Sequence, residues 1–365
     1  MHVLHVIESL EFGGAEKVVV HLANSFSKKY KISVCVTKRQ GELINDLNDD
    51  IDVYFLDTGE GNNLDLPKKL IKLINDENVD VVHSHNWGLY IESAIAVLLT
   101  KKVKLVYTIH GHYTLYSPGL KSNIKIALRH LLEKIASYKT HKLIPVSDSI
   151  KEYIKKDIKI SESKLLTIPN GISGLDINLK KDRTNASNIK FITVGRIAKV
   201  KNHEMLLKAF HISLKKFNNI HLTIVGDGPE LNNLKQLSKH LNISDHVEFT
   251  GFRNDIDKIL ANHDVFLMSS DYEGVSIAVL EAMSLAMPVI ATDVGGNSQL
   301  VLNKVTGFIV EKNNEFEFSN AINILCSSPE SLARYGSSGF NYFKKHFHED
   351  VVLDQYMEIY ESCKV

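Results

Sequence analysis

Ser269-Ser270-Asp271-Tyr272-Glu273-Gly274-Val275-Ser276, followed by Leu280-Glu281-Ala282-Met283 and Pro288-Val289-Ile290, decides the reading of this chain. The apolar run Val265-Met268 just before it predicts a buried parallel strand, and Val275 to Leu285 predicts the helix that follows. Glu273 then lies on the loop and Glu281 on the helix, with seven residues between them around a glycine turn. Open α/β sheets bind ligands at such strand–loop–helix junctions. The helix N-terminus offers N–H groups and positive dipole to a phosphate, while flanking carboxylates accept hydrogen bonds from sugar hydroxyls. Phosphate and polyol in one pocket describe a nucleotide sugar. Two solvated acids near a helix start are the plain alternative, because short motifs recur by chance.

A second cluster has matching chemistry. Val194-Gly195-Arg196 ends the apolar run Phe191-Val194, and Lys201-Asn202-His203 follows. A departing nucleoside diphosphate gains negative charge, and two fixed cations stabilise it as it develops. Taken with Glu273 and Glu281, this Arg and Lys resemble the signature of the retaining glycosyltransferases of family four, also called group 1. Further matching stretches are Phe12-Gly13-Gly14-Ala15-Glu16 after the strand Val3-Ile7, Thr108-Ile109-His110-Gly111, Pro145-Val146-Ser147, Ile168-Pro169-Asn170-Gly171, Val225-Gly226-Asp227-Gly228-Pro229 and Gly251-Phe252-Arg253.

That resemblance spans nearly the whole chain and implies an α/β GT-B fold, two facing Rossmann-like domains with parallel sheets and an interdomain cleft. It implies catalytic roles for His110, Arg196, Lys201 and Glu273. Donor binding would draw on Gly13, Gly14, Arg196, Lys201, Gly226, Phe252, Arg253, Glu273, Gly274, Val275, Ser276 and Glu281. Arg196 and Lys201 would face the diphosphate, Glu281 the ribose, and Glu273 and His110 the transferred sugar. No metal or other cofactor is required in this scheme. Several positions depart from the family pattern: Ser173 stands where Asp is frequent, Ser276 and Ala286 replace frequent glycines, and Gln299 replaces a usual Glu. A side chain at Ser276 puts the backbone path around the donor phosphate in question.

Apolar segments alternate with amphipathic ones throughout, including Val34-Val36, Val79-His83, Leu105-Ile109, Lys142-Val146, Leu222-Val225 and Val289-Ala291, which predicts parallel sheets with right-handed crossovers. The polar stretch from Lys180 to Asn188 reads as a linker. The expected domains are 1–178, acceptor-binding and completed by a C-terminal helix at about 349–365, and 188–348, donor-binding. In the GT-B fold the last helix, here Val351 to Tyr360, returns to the N-terminal domain.

Composition suits a two-domain enzyme: 365 residues and 44% apolar content can fill two cores. Zero net charge excludes a protein built to neutralise nucleic-acid phosphate. Cys35, Cys326 and Cys363 are far apart, odd in number and unlike metal-ligand spacing, so they read as reduced thiols in the cytoplasm. The N-terminus lacks the features of a signal peptide, and the apolar stretch Ser93-Leu99 is too short to span a bilayer. Residues 119–164 carry eleven Lys and Arg against five Asp and Glu. Such a basic face can hold an enzyme peripherally on the anionic cytoplasmic face of the inner membrane, or be an ordinary solvated helix pair.

The expected reaction is retaining transfer of a hexose or N-acetylhexosamine from a nucleoside diphosphate sugar, UDP-sugar favoured, to a hydroxyl of a growing surface glycan on a lipid carrier. Capsule or lipopolysaccharide synthesis is the family's habitual setting. Two other classes stay open. A GT-B nucleotide-sugar epimerase or phosphorylase would use the same donor site. A metal-dependent hydrolase could use His83-Ser84-His85 and His110-Gly111-His112, since alternate strand residues share a face. Asp50-Ile51-Asp52 and Asp255-Ile256-Asp257 do not follow the buried strand a GT-A metal site needs, and Asp255 reads as a helix N-cap.

Overall fold

The computed structural model describes residues 1–59, 65–111, 120–176 and 188–364. The expected linker therefore lies outside the described residues except for Asn188, as does His112. The chain forms two compact units, Met1–Asn170 with Val352–Val365, and Gly171–Val351.

The first unit is built on six parallel strands, β1 (His2–Ser9), β2 (Lys31–Arg39), β3 (Asp52–Phe55), β4 (Val81–Ser84), β5 (Lys104–Ile109) and β6 (Thr140–Pro145), in the order β3-β2-β1-β4-β5-β6. The second repeats the plan with β7 (Ile189–Val194), β8 (Ile220–Val225), β9 (Val247–Gly251), β10 (Val265–Met268), β11 (Val289–Thr292) and β12 (Gly307–Val310), ordered β12-β11-β10-β7-β8-β9. Each sheet is the doubly wound Rossmann arrangement, so the pair is the GT-B architecture. Strand order reverses between β1 and β4 in one unit and between β7 and β10 in the other. Ligands of such sheets bind beyond the strand ends at these reversals. The loops there carry Gly13-Gly14 and His85 in the first unit, and Gly195-Arg196 and Glu273 in the second.

Central strands are buried on both faces, so β10 is wholly apolar, while β1 and β4 add buried His5 and His83 to their apolar residues. Val3, Leu4, Val6 and Ile7 of β1 are fully buried, and Phe191, Phe210, Leu222, Ile224, Leu267 and Phe318 anchor the second core. The final helix, α13 (Glu349–Ser362), belongs to the first unit from Val352 onward. It buries Tyr356 and Tyr360, and Tyr360 meets Phe26 edge-on at 5.1 Å between ring centroids.

Candidate active site

The site in the second unit begins with backbone. Val194 and Val225 end neighbouring parallel strands, and the Gly195 amide donates to the Val225 carbonyl at 3.0 Å while the Ile197 amide donates to the Asp227 carbonyl at 2.8 Å. Gly226 has φ +139°, and a Cβ there would lie 1.9 Å from the Gly195 carbonyl oxygen, so only glycine permits the two loops to touch. A second close approach joins the loop after β11 to the loop after β10. Gly295 at φ +57° would place a Cβ 1.7 Å from the Glu273 carbonyl oxygen, and the Gly296 amide donates to the Gly274 carbonyl at 2.9 Å. Glycines thus lock the Arg196 and Glu273 loops into one path each.

Lys201 is fixed from the β10 side. The Ser269 hydroxyl donates to the Lys201 carbonyl at 2.8 Å, the Asp271 amide donates to the Val200 carbonyl at 2.8 Å, and the Asn202 amide side chain donates to Asp271 at 2.9 Å. With its backbone held there, the Lys201 ammonium reaches Glu273 Oε1 at 2.5 Å, and the Ser270 hydroxyl donates to that same oxygen at 2.5 Å. Glu273 is buried and Lys201 half-buried, so this is a charge-assisted pair in reduced dielectric rather than a surface ion pair. Among the described residues every partner of the Glu273 carboxylate is on Oε1, which leaves Oε2 available to a ligand.

The helix after Glu273 is α9 (Ile277–Ser284), starting two residues later than the sequence suggests. The reason is Ser276, whose hydroxyl accepts the Val279 amide at 3.4 Å and so acts as the N-cap. Its φ of −75° lies in the ordinary region, so the serine needs no glycine conformation. Ala286 is different: at φ +52° it holds the left-handed backbone for which glycine is the natural residue. Glu281 is half-buried in the second turn of α9. Arg196 is exposed, and among the described residues nothing pairs with its guanidinium.

The remaining expected donor residues are more scattered in environment. Phe252 is exposed, and Arg253 donates two hydrogen bonds to Asp255 at 2.8 and 2.6 Å. Asp255 does stand at the N-cap of α8 (Ile256–Ala261), but its carboxylate serves Arg253 and makes no capping bond. A cavity of about 610 Å³ borders Asn202 and Asp271 without including Arg196, Glu273 or Glu281, so it is a neighbour of the site rather than the site itself.

In the first unit Gly13 is the N-cap of α1 (Gly14–Ser27), and a Cβ on Gly13 would collide with the Glu16 carboxylate. His110 follows β5 and is half-buried. It ends a group of imidazoles that sequence reasoning treated only as motif pairs. His5 Nδ1 lies 3.0 Å from His85 Nε2, and His85 Nδ1 lies 3.2 Å from His110 Nε2. His83 lies 4.1 Å from His85 between ring centroids with the rings tilted by 35°, and uses its own nitrogens on Tyr360 and Thr108, at 2.7 and 2.8 Å. Burial pushes His5 down to about 3 and His110 down to about 4, and holds His83 and His85 well below the usual histidine range, so all four rings are neutral at pH 7. His5, His83 and His85 offer nitrogens within 4.8 Å of one another, a spacing that suits a transition metal. Both nitrogens of His83 and of His85 already have partners, so an ion there would displace existing hydrogen bonds.

Sequence reasoning assigned no part to Ser269, Ser270, Asp271 and Asn202, which position Lys201 and Glu273. For Ser269, Ser270 and Asp271 the signal is a run of small polar residues directly after the fully buried strand β10, where buried polar groups need hydrogen-bond partners.

Comparison with known proteins agrees with this geometry. The glycosyltransferase family 4 model matches residues 12–173, and the model of glycosyl transferases group 1 matches residues 176–342. The Escherichia coli protein UDP-Gal:alpha-D-GlcNAc-diphosphoundecaprenol alpha-1,3-galactosyltransferase is 29% identical over 353 residues, covering 89% of this chain and 88% of its own length. CapH of Staphylococcus aureus, a capsular polysaccharide biosynthesis glycosyltransferase, is 29% identical over 306 residues, covering 82% and 83%. Among solved structures, Anabaena HepE in complex with UDP superimposes with a TM-score of 0.84 at 22% identity, covering 99% of this chain and 100% of that one, a likeness of fold. The two models meet end to end across both units, and the chain belongs to the group 1, family four glycosyltransferases.

Proposed function

We propose that this glycosyltransferase moves a hexose or N-acetylhexosamine from a UDP-sugar to a hydroxyl of a lipid-linked glycan, with retention of anomeric configuration. The observation that carries the reading is the Lys201–Glu273 pair at the reversal of the second sheet, with the Arg196 guanidinium on the adjoining loop. The E. coli relative, whose name states a UDP-galactose donor and a diphosphoundecaprenol acceptor, supports the choice of substrates.

In this reading Arg196, Lys201 and the N-terminus of α9 stabilise the leaving diphosphate. Glu281 accepts from the ribose hydroxyls, Glu273 Oε2 accepts from a hydroxyl of the transferred sugar, and His110 hydrogen-bonds that sugar. The bond from the anomeric carbon to the phosphate oxygen breaks while the acceptor oxygen attacks the same face. The acceptor proton passes to the departing phosphate. Fixed cations supply the charge stabilisation that Mg²⁺ supplies in metal-dependent transferases.

The acceptor's lipid calls for a surface, and the first unit offers one. No described helix is long and apolar enough to cross a membrane. Helix α4 (Leu120–Ser137), however, exposes Ile124, Leu128, Leu131, Leu132 and Ile135, at 41–61% of their full accessibility, in a helical stripe flanked by Lys125, Lys134 and Lys139. An apolar stripe with basic margins suits an anionic lipid interface. In this reading membrane contact would fall to α4 rather than to Lys155 and Lys156, which are engaged by Glu152 and Glu162 at 3.1–3.5 Å.

The test is a thermal-shift screen of nucleotides and nucleotide sugars, followed by NMR of the product's anomeric centre. A ligand at about 100 times its dissociation constant adds roughly 2.7 kcal/mol to the folded state. Stabilisation by UDP and its sugars, with product of the donor's configuration, supports the proposal. Conversion of donor without any acceptor would instead identify an epimerase or phosphorylase.

A further inference from the structure

Helix α4 is turned inside out. Its inner side carries Arg129 and buried Glu133, joined at 2.9 Å, and the Arg129 guanidinium also lies 4.1 Å over the Trp87 ring and donates to the Trp87 carbonyl. The outer side carries Ile124, Leu128, Leu131, Ile135 and, just past the helix end, Tyr138, all exposed and spaced 4-3-4-3 along the chain. Helix α3 (Tyr90–Leu99) packs beside α4 and adds exposed Ile95, Leu98 and Leu99, the last two at 56% and 66% of full accessibility. A surface helix ordinarily buries its apolar side and shows its charges. The reversed order makes α3 and α4 one face built for an apolar partner.

Charge selects that partner. A 4-3-4-3 row suits a second helix as well as it suits hydrocarbon. The margins of the face, however, hold Lys101, Lys102, Lys125, Lys134 and Lys139, while the only acids in the two helices are half-buried Glu92 and buried Glu133. Against a second copy of the chain these margins would set lysine against lysine, which repels. An anionic bilayer supplies hydrocarbon for the row and phosphates for the ammonium groups. From Ile124 to Tyr138 the row runs about 21 Å at 1.5 Å per residue, along the helix rather than at one end, so α4 lies in the plane of the interface. Because α4 joins the parallel strands β5 and β6, it runs back alongside them, and the strands share that plane. We propose that α3 and α4 lie flat on an anionic phospholipid bilayer, so that the strand-end loops of the first unit, with His85 and His110, open along the membrane surface rather than into it. Use of that opening by a lipid-linked acceptor rests on the proposed function, whereas the seating does not.

Trp87 is the chain's single tryptophan and is clamped to the inner side of α4, which makes it the internal control. The experiment mixes the full-length protein with vesicles of phosphatidylglycerol and phosphatidylcholine, or of phosphatidylcholine alone, with lipid brominated near the headgroup as the quencher. Leu99→Trp, Leu128→Trp and Tyr138→Trp are each expected to gain emission that the anionic vesicles quench to a similar extent, while Trp87 of the parent is not quenched. Sedimentation is expected to show about tenfold or stronger partition onto the anionic vesicles, lost in a variant combining Lys101→Glu, Lys102→Glu and Lys139→Glu, all exposed positions. Equal partition of the parent onto the two kinds of vesicle, or of parent and triple variant onto the anionic one, overturns the proposal, as does quenching confined to one of the three positions. A dimer in sedimentation equilibrium that Leu128→Gln disperses also overturns it and gives the face to a second copy. Neither donor nor acceptor is present in these measurements. A protein that seats as expected but transfers no sugar sinks the proposed function alone, and one that transfers sugar to a lipid-free acceptor without binding vesicles sinks the seating alone.

Discussion

The ammonium of Lys201 lies 2.5 Å from Glu273 Oε1, so the cation expected at the diphosphate and the carboxylate expected at the sugar are held as one unit. Each therefore positions the other, and their substitutions should not act independently. Lys201→Ala and Glu273→Ala are each expected to lower turnover by about 10²-fold or more, with the double variant well short of the product of the two. Steady-state kinetics of the three variants measure the coupling, and simple multiplicativity would show that the pair is incidental.

Arg196 is exposed and its guanidinium pairs with no described residue, so truncating the side chain should spare the fold. Arg196→Ala is expected to reduce kcat by about 10²-fold while its melting temperature stays at the parent value, because a fixed charge at a developing anion is worth a few kcal/mol. Melting curves and kinetics on one preparation check both halves.

In the proposed reading Glu281 serves the ribose and Glu273 the transferred sugar. Glu281→Ala should weaken binding of UDP itself, and Glu273→Ala should weaken binding of the intact donor more than of UDP. Calorimetric titration with each ligand tests this, and equal losses for both ligands in both variants would contradict the assignment.

The first unit should be acid-labile. Burial lowers the folded-state values of His5, His83, His85 and His110, while unfolded histidine titrates near pH 6.5. Below that value the unfolded chain binds protons that the folded chain cannot, so stability is full above about pH 6.5 and falls as pH drops toward 4, by up to about 1.4 kcal/mol per pH unit for each group. Urea midpoints at pH 7, 6 and 5 should decline in that order, and the decline should be shallower in His5→Phe. Midpoints that are flat over this range would contradict neutral burial.

Ala286 occupies φ +52° where glycine would be unstrained. Ala286→Gly is expected to stabilise the chain by about 0.5–1 kcal/mol, the left-handed penalty less the extra entropy of unfolded glycine. Denaturant unfolding reads the sign directly.

The central strands were legible because burial on both faces demands near-continuous apolar runs such as Val265-Met268 and Phe191-Val194. The edge strand β3 was harder. It has only half-buried and exposed residues, so burial imposes no continuous apolar run on it. Glu273, Lys201 and Arg196 stood out as candidates because an Arg and Lys after one apolar strand and a Glu pair after another resemble the family's motifs. The contact between Lys201 and Glu273 could not be read there, since it depends on Ser269 and Asp271 holding the Lys201 loop from a strand 68 or more residues away. The histidine line was equally hidden: His5 lies in β1, and His85 and His110 directly follow β4 and β5, strands whose adjacency exists only in the folded sheet.

The central claim, that the second unit grips a nucleoside diphosphate through Arg196 and Lys201, is tested most directly by calorimetric titration of UDP into the parent, Arg196→Ala and Lys201→Ala proteins. The account predicts saturable binding by the parent and at least tenfold weaker binding by each variant, since a charge-assisted hydrogen bond contributes about 1.5–3 kcal/mol. UDP bound with the same affinity by all three proteins would contradict it.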